Sequence, residues 1–80
     1  MLSLCMIVKN EEEYLGRALT CVRDIVNEMV VVDTGSTDGT MDIAKEFGAR
    51  VFKYKWNDDF SVAKNYAISK ASGNWILSLD

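Results

Sequence analysis

Apolar and polar positions along this chain follow two rhythms. Residues 2–8, LSLCMIV, form a short and nearly unbroken apolar run, the pattern of a strand buried on both faces. The spacing then changes. Leu15, Ala18, Leu19 and Val22 recur at i, i+3, i+4 and i+7, the stripe of an amphipathic helix. Asn10 stands where an N-cap is wanted, with Glu13 three residues later in the manner of a capping box. Residues 29–33, MVVVD, predict a second strand. Thr40, Ile43, Ala44 and Phe47 stripe a second helix, capped by Ser36 or Thr37 and stopped by Gly48 as its C′ residue. Residues 49–54, ARVFKY, read as a third strand. A third helix starts between Asn57 and Asp59, carries Phe60, Ala63, Ala67 and Ala71 on one face, and ends at Gly73. Residues 74–79 close the series as a fourth buried strand. Tyr66 and Trp75 are expected in the core, and Trp56, at the rim before the third helix, is expected to be a packing residue rather than a stacking platform.

The order is β-α-β-α-β-α-β. Apolar strands alternating with amphipathic helices predict an α/β fold, a Rossmann-like parallel sheet with helices on both faces. Right-handed crossovers favour strand order 3-2-1-4. There is no proline and no internal repeat, so residues 1–80 read as one unit. Its last strand ends on the chain's last residue, Asp80.

Composition narrows the function classes. The 80 residues are 49% hydrophobic and 26% charged, with a net charge of −3, the make-up of an ordinary globular domain. A dedicated nucleic-acid binder shows a basic face, and Lys53 and Lys55 are too few to make one, so no nucleic-acid partner is expected. No apolar run approaches the roughly 20 residues of a membrane helix, and the opening MLSLCMIV lacks the marks of a signal peptide. The expected location is the cytoplasm, including a peripheral position at the inner face of the membrane. Cys5 and Cys21 have no CxxC spacing and the chain has no histidine; both read as reduced, buried thiols.

Parallel sheets bind ligands outside the carboxyl ends of their strands. Here strand 1 ends in Lys9, Asn10 and Glu11, strand 2 in Asp33, and strand 4 in Asp80. The turn after strand 1 is KNEEEY where a dinucleotide-binding unit would have G-x-G-x-x-G. Three glutamates suit a helix N-terminus and would repel a phosphate. A bound nucleotide would therefore need its pyrophosphate neutralised elsewhere, most simply by a divalent cation on carboxylates. Asp33 is open to two readings, a turn residue bonding nearby N–H groups or part of a ligand site. Lys64 likewise reads as a snorkelling side chain or as a cation reaching a phosphate.

The segments CMIVKNEEEYL, VVVDTGSTDGT and DFSVAKNYAISKASGNWILSLD, in this order and spacing, resemble the N-terminal, nucleotide-sugar-binding part of a family 2 glycosyltransferase with the GT-A fold. The likeness covers essentially the whole chain, and the three segments together are far more specific than any one. It looks most like the subgroup that includes bacterial enzymes of cell-surface polysaccharide and glycopeptide pathways. The resemblance implies a nucleotide-diphosphate sugar as donor, a divalent cation (Mg²⁺ or Mn²⁺), and transfer to an acceptor hydroxyl. It implies that Met6 to Glu11, with Ile7, Val8, Asn10 and Glu11, line the base and ribose pocket. Asp33 would recognise the base, and Lys64 would lie near the phosphates. Asp80 matches the first acid of the D-x-D signature, contacting ribose or helping to hold the metal. Many relatives have Asp-Asp-Gly-Ser where this chain has Asp33-Thr34-Gly35-Ser36, so one acid is missing. The remainder of D-x-D, the acceptor half and a catalytic base would lie beyond residue 80. The expectation is accordingly a fragment, inactive in transfer by itself and self-associating as a homodimer through its apolar fourth strand. Rival readings are a non-catalytic nucleotide-binding or signalling α/β module and an assembly piece without a ligand.

Overall fold

The computed structural model describes residues 1–56 and 58–79. Four strands and three helices alternate: β1 Leu2–Val8, α1 Glu12–Val22, β2 Glu28–Asp33, α2 Thr40–Glu46, β3 Arg50–Lys53, α3 Phe60–Lys70 and β4 Trp75–Leu79. Every pairing is parallel and the strand order is β3-β2-β1-β4, as the pattern predicts. The chain steps outward from β1 to β2 to β3, then returns past both to place β4 beside β1. Crossovers of one hand must then put the first two helices and the third on opposite faces.

The core is divided accordingly. Leu4, Met6, Val8 and Val31 pack with Leu15, Leu19, Val22 and Ala44 of α1 and α2. On the other face Cys5, Val30 and Val32 meet Ala67 of α3, joined by Phe52, Tyr54 and Tyr66. The period-two alternation of β1 and β2 thus divides one apolar run between two layers. Tyr66 is half-buried in the second layer, its ring 4.8 Å from that of Tyr54.

Several expectations about element ends and burial are corrected. The N-cap of α1 is Glu11, and no side chain caps it. Asn10 instead adopts φ 53°, a left-handed conformation that asparagine tolerates. Helix α2 starts later than expected, with Gly39 as N-cap; the Asp38 carboxylate accepts from the Thr40 N–H at 3.0 Å. Asp59 does cap α3, accepting from the Val62 N–H at 3.2 Å, while Asn57 lies outside the described residues. Gly48, at φ 80°, is the C′ residue of α2.

Helix α3 ends at Lys70, before Gly73. Gly73 serves another purpose: a Cβ there would lie 2.7 Å from the Met1 carbonyl oxygen and 3.1 Å from the Ser3 nitrogen. It lets the chain pass close to the start of β1. Cys21 is exposed, whereas Cys5 is buried with its thiol donating to the Ala67 carbonyl at 3.7 Å. Burial pushes the Cys5 thiol pKa up, with the Glu28 carboxylate acting in the same direction and Lys64 opposing. Trp75 is 73% exposed, because β4 is an edge strand and nothing among the described residues covers that end of it. Phe60 is also largely exposed.

Candidate functional site

The carboxyl ends of β1, β2 and β3 are level. Val8 pairs with Asp33 and Asp33 with Lys53. The ladder runs on to the rim, where the Thr34 N–H donates to the Val8 carbonyl at 3.0 Å and the Tyr54 N–H to the Asp33 carbonyl at 2.8 Å. Asp33 therefore ends its strand with the side chain on the face of α1 and α2, and it is only 2% exposed. Its Oδ1 accepts from the Gly35 N–H at 3.1 Å and the Ser36 N–H at 2.8 Å; Oδ2 shares the Ser36 N–H at 3.2 Å. These are the bonds of an Asx turn, with Gly35 at φ 125° supplying the backbone freedom that turn needs. The turn reading of Asp33 is thus realised. A carboxylate has about four acceptor sites, so the turn bonds leave Oδ2 with acceptor capacity.

The loops after β1 and β2 hold each other. The Asn10 N–H donates to Ser36 Oγ at 2.8 Å, and Asn10 Oδ1 accepts from the Thr37 N–H at 2.8 Å. The Glu11 N–H donates to Thr40 Oγ1 at 2.9 Å and the Glu12 N–H to Asp38 Oδ2 at 3.3 Å. Asp38 also accepts from the Thr40 hydroxyl, and that bond leads the causes that hold its carboxyl below the ordinary aspartate value. The N–H groups of Glu11 and Glu12, at the start of α1, are thus satisfied by the Thr40 and Asp38 side chains and not by Asn10. A phosphate would find them already occupied.

Two cavities open on this rim. One, of about 420 Å³, is lined by Asp33, Gly35 and Met41 on one side and by Lys53, Tyr54 and Lys55 on the other. The second, of about 240 Å³, lies over the end of β1 and is lined by Ile7, Val8, Lys9, Glu11 and Phe60. Thr34 and Trp56 line both. Of the residues singled out in the sequence, Ile7, Val8 and Glu11 fall in the second cavity and Asp33 in the first. Asn10 lines neither; its side chain is engaged with Thr37. Lys64 is half-buried with Nζ 5.2 Å from the centre of the Phe60 ring, at the margin of the second cavity. Asp80 lies outside the described residues. Those residues include no group of three His, Cys, Asp or Glu side chains that could hold a metal ion.

Sequence reading missed Thr34, Met41, Tyr54 and Phe60 as lining residues, and it took Trp56 for a packing residue. Trp56 is 39% exposed and belongs to neither core layer. The signal for Tyr54, Trp56 and Phe60 is the run KYKWNDDF, which sets three large aromatics beside turn residues at a parallel-sheet rim.

The sequence and the fold are similar to those of known proteins. The family model for glycosyl transferase family 2 matches residues 3–80. The chain belongs to glycosyl transferase family 2. Similar proteins include an uncharacterized glycosyltransferase of Rickettsia typhi, 39% identical over 79 residues. Another is the SPbeta prophage-derived glycosyltransferase SunS of Bacillus subtilis, 43% identical over 77 residues. A TPR repeat-containing protein of Synechococcus elongatus is 55% identical over 78 residues. These matches cover 99%, 94% and 98% of this chain but only 27%, 18% and 19% of those proteins. The chain thus spans less than a third of the length of the relatives it matches.

Among solved structures, glucosyl-3-phosphoglycerate synthase from Mycobacterium tuberculosis, in complex with Mn²⁺, UDP and glucosyl-3-phosphoglycerate, superposes with a TM-score of 0.85 at 24% identity. The match covers 100% of this chain and 33% of that one. The same enzyme with Mg²⁺ and UDP gives 0.81 at 25% identity, covering 100% and 32%. The family 2 sheet, with order β3-β2-β1-β4, therefore has the GT-A, Rossmann-like fold. No described helix is long and apolar enough to cross a membrane.

Proposed function

We propose that this unit binds the nucleotide part of a nucleotide-diphosphate sugar, as the donor-binding region of a longer glycosyltransferase that moves the sugar to an acceptor hydroxyl. The observation that carries this reading is the pair of adjoining cavities on the carboxyl rim of a family 2 sheet, built from the ends of β1 and β2. The base and ribose are assigned to this trough, with Ile7, Val8 and Glu11 along one part and Asp33 at the other. Asp33 Oδ2 is the acceptor for a base N–H. Lys64, beside Phe60, faces the diphosphate from the α3 side. Asn10 contributes by latching the two loops that shape the trough.

The likeness to an enzyme solved with UDP and with Mn²⁺ or Mg²⁺ supports a nucleotide donor and a divalent cation. Described residues alone do not form a cation site; Asp80 together with diphosphate oxygens is the donor set that suits such an ion. A bound cation would neutralise the departing diphosphate. The 80 residues span under a third of their relatives, so transfer is assigned to longer proteins carrying this unit and not to these residues alone. We also propose a cytoplasmic location and self-association of the isolated chain.

Calorimetric titration with UDP in the presence of Mn²⁺ tests the reading, alongside a transfer assay. The expected result is saturable UDP binding by the 80-residue chain without transfer, and transfer by a longer protein that contains it. If neither polypeptide binds UDP or another nucleoside diphosphate, the proposal fails.

A further inference from the structure

We infer that the indole of Trp56 is the stacking face for the base of the bound nucleotide, an inference that rests on the donor-binding reading above. Three observations carry it. First, Trp56 stands at the wall common to both cavities. A planar group resting there has the Asp33 carboxylate within the same cavity and the end of β1 in the adjoining one.

Second, the indole's only donor is already satisfied. Its Nε1–H donates to Asp58 Oδ1 at 3.0 Å, and an indole has no acceptor. That bond orients the ring and leaves its π-faces as what it offers a ligand. Asp58 holds φ 63°, an unusual backbone for a non-glycine residue, so the loop is bent at the residue that anchors the indole.

Third, Trp56 is too exposed to be explained by packing. It is 39% exposed and absent from both core layers, whereas the half-buried rings of Tyr54 and Tyr66 belong to the second layer and pack on each other. A half-uncovered Trp at a cavity wall, with Phe60 lining the same cavity, is an apolar plane awaiting a partner. The ligand chemistry that matches a fixed plane beside an acceptor is a heterocyclic base with an edge N–H. Stacking on the ring tolerates any base, so Trp56 sets affinity while Asp33 sets choice.

The test uses the full chain in a Trp75→Phe background, since Trp75 and Trp56 are the chain's 2 tryptophans and Trp75 lies on exposed surface. UDP with Mn²⁺ is expected to quench Trp56 fluorescence with the same affinity that calorimetry gives. Base–aromatic stacking contributes about 1–3 kcal/mol, so Trp56→Ala should weaken UDP binding by roughly 5- to 150-fold. Trp56→Phe should restore most of it, at an unchanged melting temperature. UDP binding that is indifferent to Trp56→Ala, or that leaves Trp56 fluorescence unaltered, overturns the stacking role and leaves the donor-binding reading standing. A Trp56→Phe protein as weak as Trp56→Ala would assign the indole to loop support through Asp58 and also overturn it. Failure of the Trp75→Phe background to bind any nucleoside diphosphate, both in the 80-residue chain and in a longer protein that contains it, overturns both.

Discussion

At the scale of single residues, Asp33 combines an observed turn with the proposed contact to a base. Its carboxylate closes the turn by accepting from the Gly35 and Ser36 N–H groups, and those bonds use Oδ1 more than Oδ2. The two roles are therefore separable by substitution. Asp33→Asn keeps an acceptor at Oδ1 and turns the other position into a donor. It should fold nearly as well as the parent, yet lose nucleotide affinity by about tenfold or more, as expected when a buried acceptor is replaced by a donor. Asp33→Ala removes both roles, leaving two backbone donors to find other partners at a stability loss of about 1–3 kcal/mol. Chemical denaturation and UDP calorimetry on the two variants check this. An Asn variant that binds UDP as tightly as the parent would confine Asp33 to the turn. Neither role was separable in the sequence, where an Asp between an apolar run and Gly-Ser suits both.

At the scale of elements, the amino edge of the sheet is held by one carboxylate. Glu28 accepts from the Ser72 N–H at 2.7 Å, Ser3 Oγ at 2.8 Å and Arg50 at 3.0 Å. It thereby joins β1, β2, β3 and the segment before β4. The bond from Ser72, then that from Ser3, with Arg50 adding less, holds its pKa below the ordinary 4.5. A depressed carboxyl contributes stability that is fully present above the unfolded value and is lost as pH falls through the folded value. The melting-temperature advantage of the parent over Glu28→Gln should thus be constant near neutrality and shrink below about pH 4.5. An advantage that survives to pH 2 would mean the charge is irrelevant. What was legible in the sequence follows the same division between local and distant. Element order, strand order and the stripes of α1 and α2 come from periodicity, which is local. The caps of α1 and α2 were misplaced because these loops satisfy each other across more than twenty-five residues, Asn10 with Thr37 and Glu11 with Thr40. Cys21 sits off the stripe of Leu15, Leu19 and Val22, so the helix turns it to solvent. The rim aromatics were misjudged because composition does not tell an aromatic that fills a core from one that walls a cavity.

At the scale of the whole molecule, the two edges of the sheet differ. The β3 edge is short and carries Arg50 and Lys53, both exposed, the charged guards that discourage strand pairing. The β4 edge is WILSL, with no charge and no proline, and it exposes Trp75 at 73% and Ile76 at 37%. Its outer N–H and C=O groups meet no strand among those described, so they form a template for a second chain. A tryptophan buries about 150–250 Å², and at about 25 cal/mol per Å² recovering the exposed part gives roughly 3 kcal/mol for each chain. Two such contributions oppose an association penalty of several kcal/mol, so edge hydrogen bonds must supply the surplus and the dimer should be weak. We expect sedimentation equilibrium of the 80-residue chain to show a mass rising from 9.0 kDa toward twice that value as concentration passes through roughly 10 μM to 1 mM, the range corresponding to about 4–7 kcal/mol. Trp75→Lys removes the apolar anchor and places a charge on the same strand without entering either core layer, so it should hold the mass at the monomer value. A parent chain that stays monomeric over that whole range would show that the edge is not adhesive and that the exposed Trp75 has some other use.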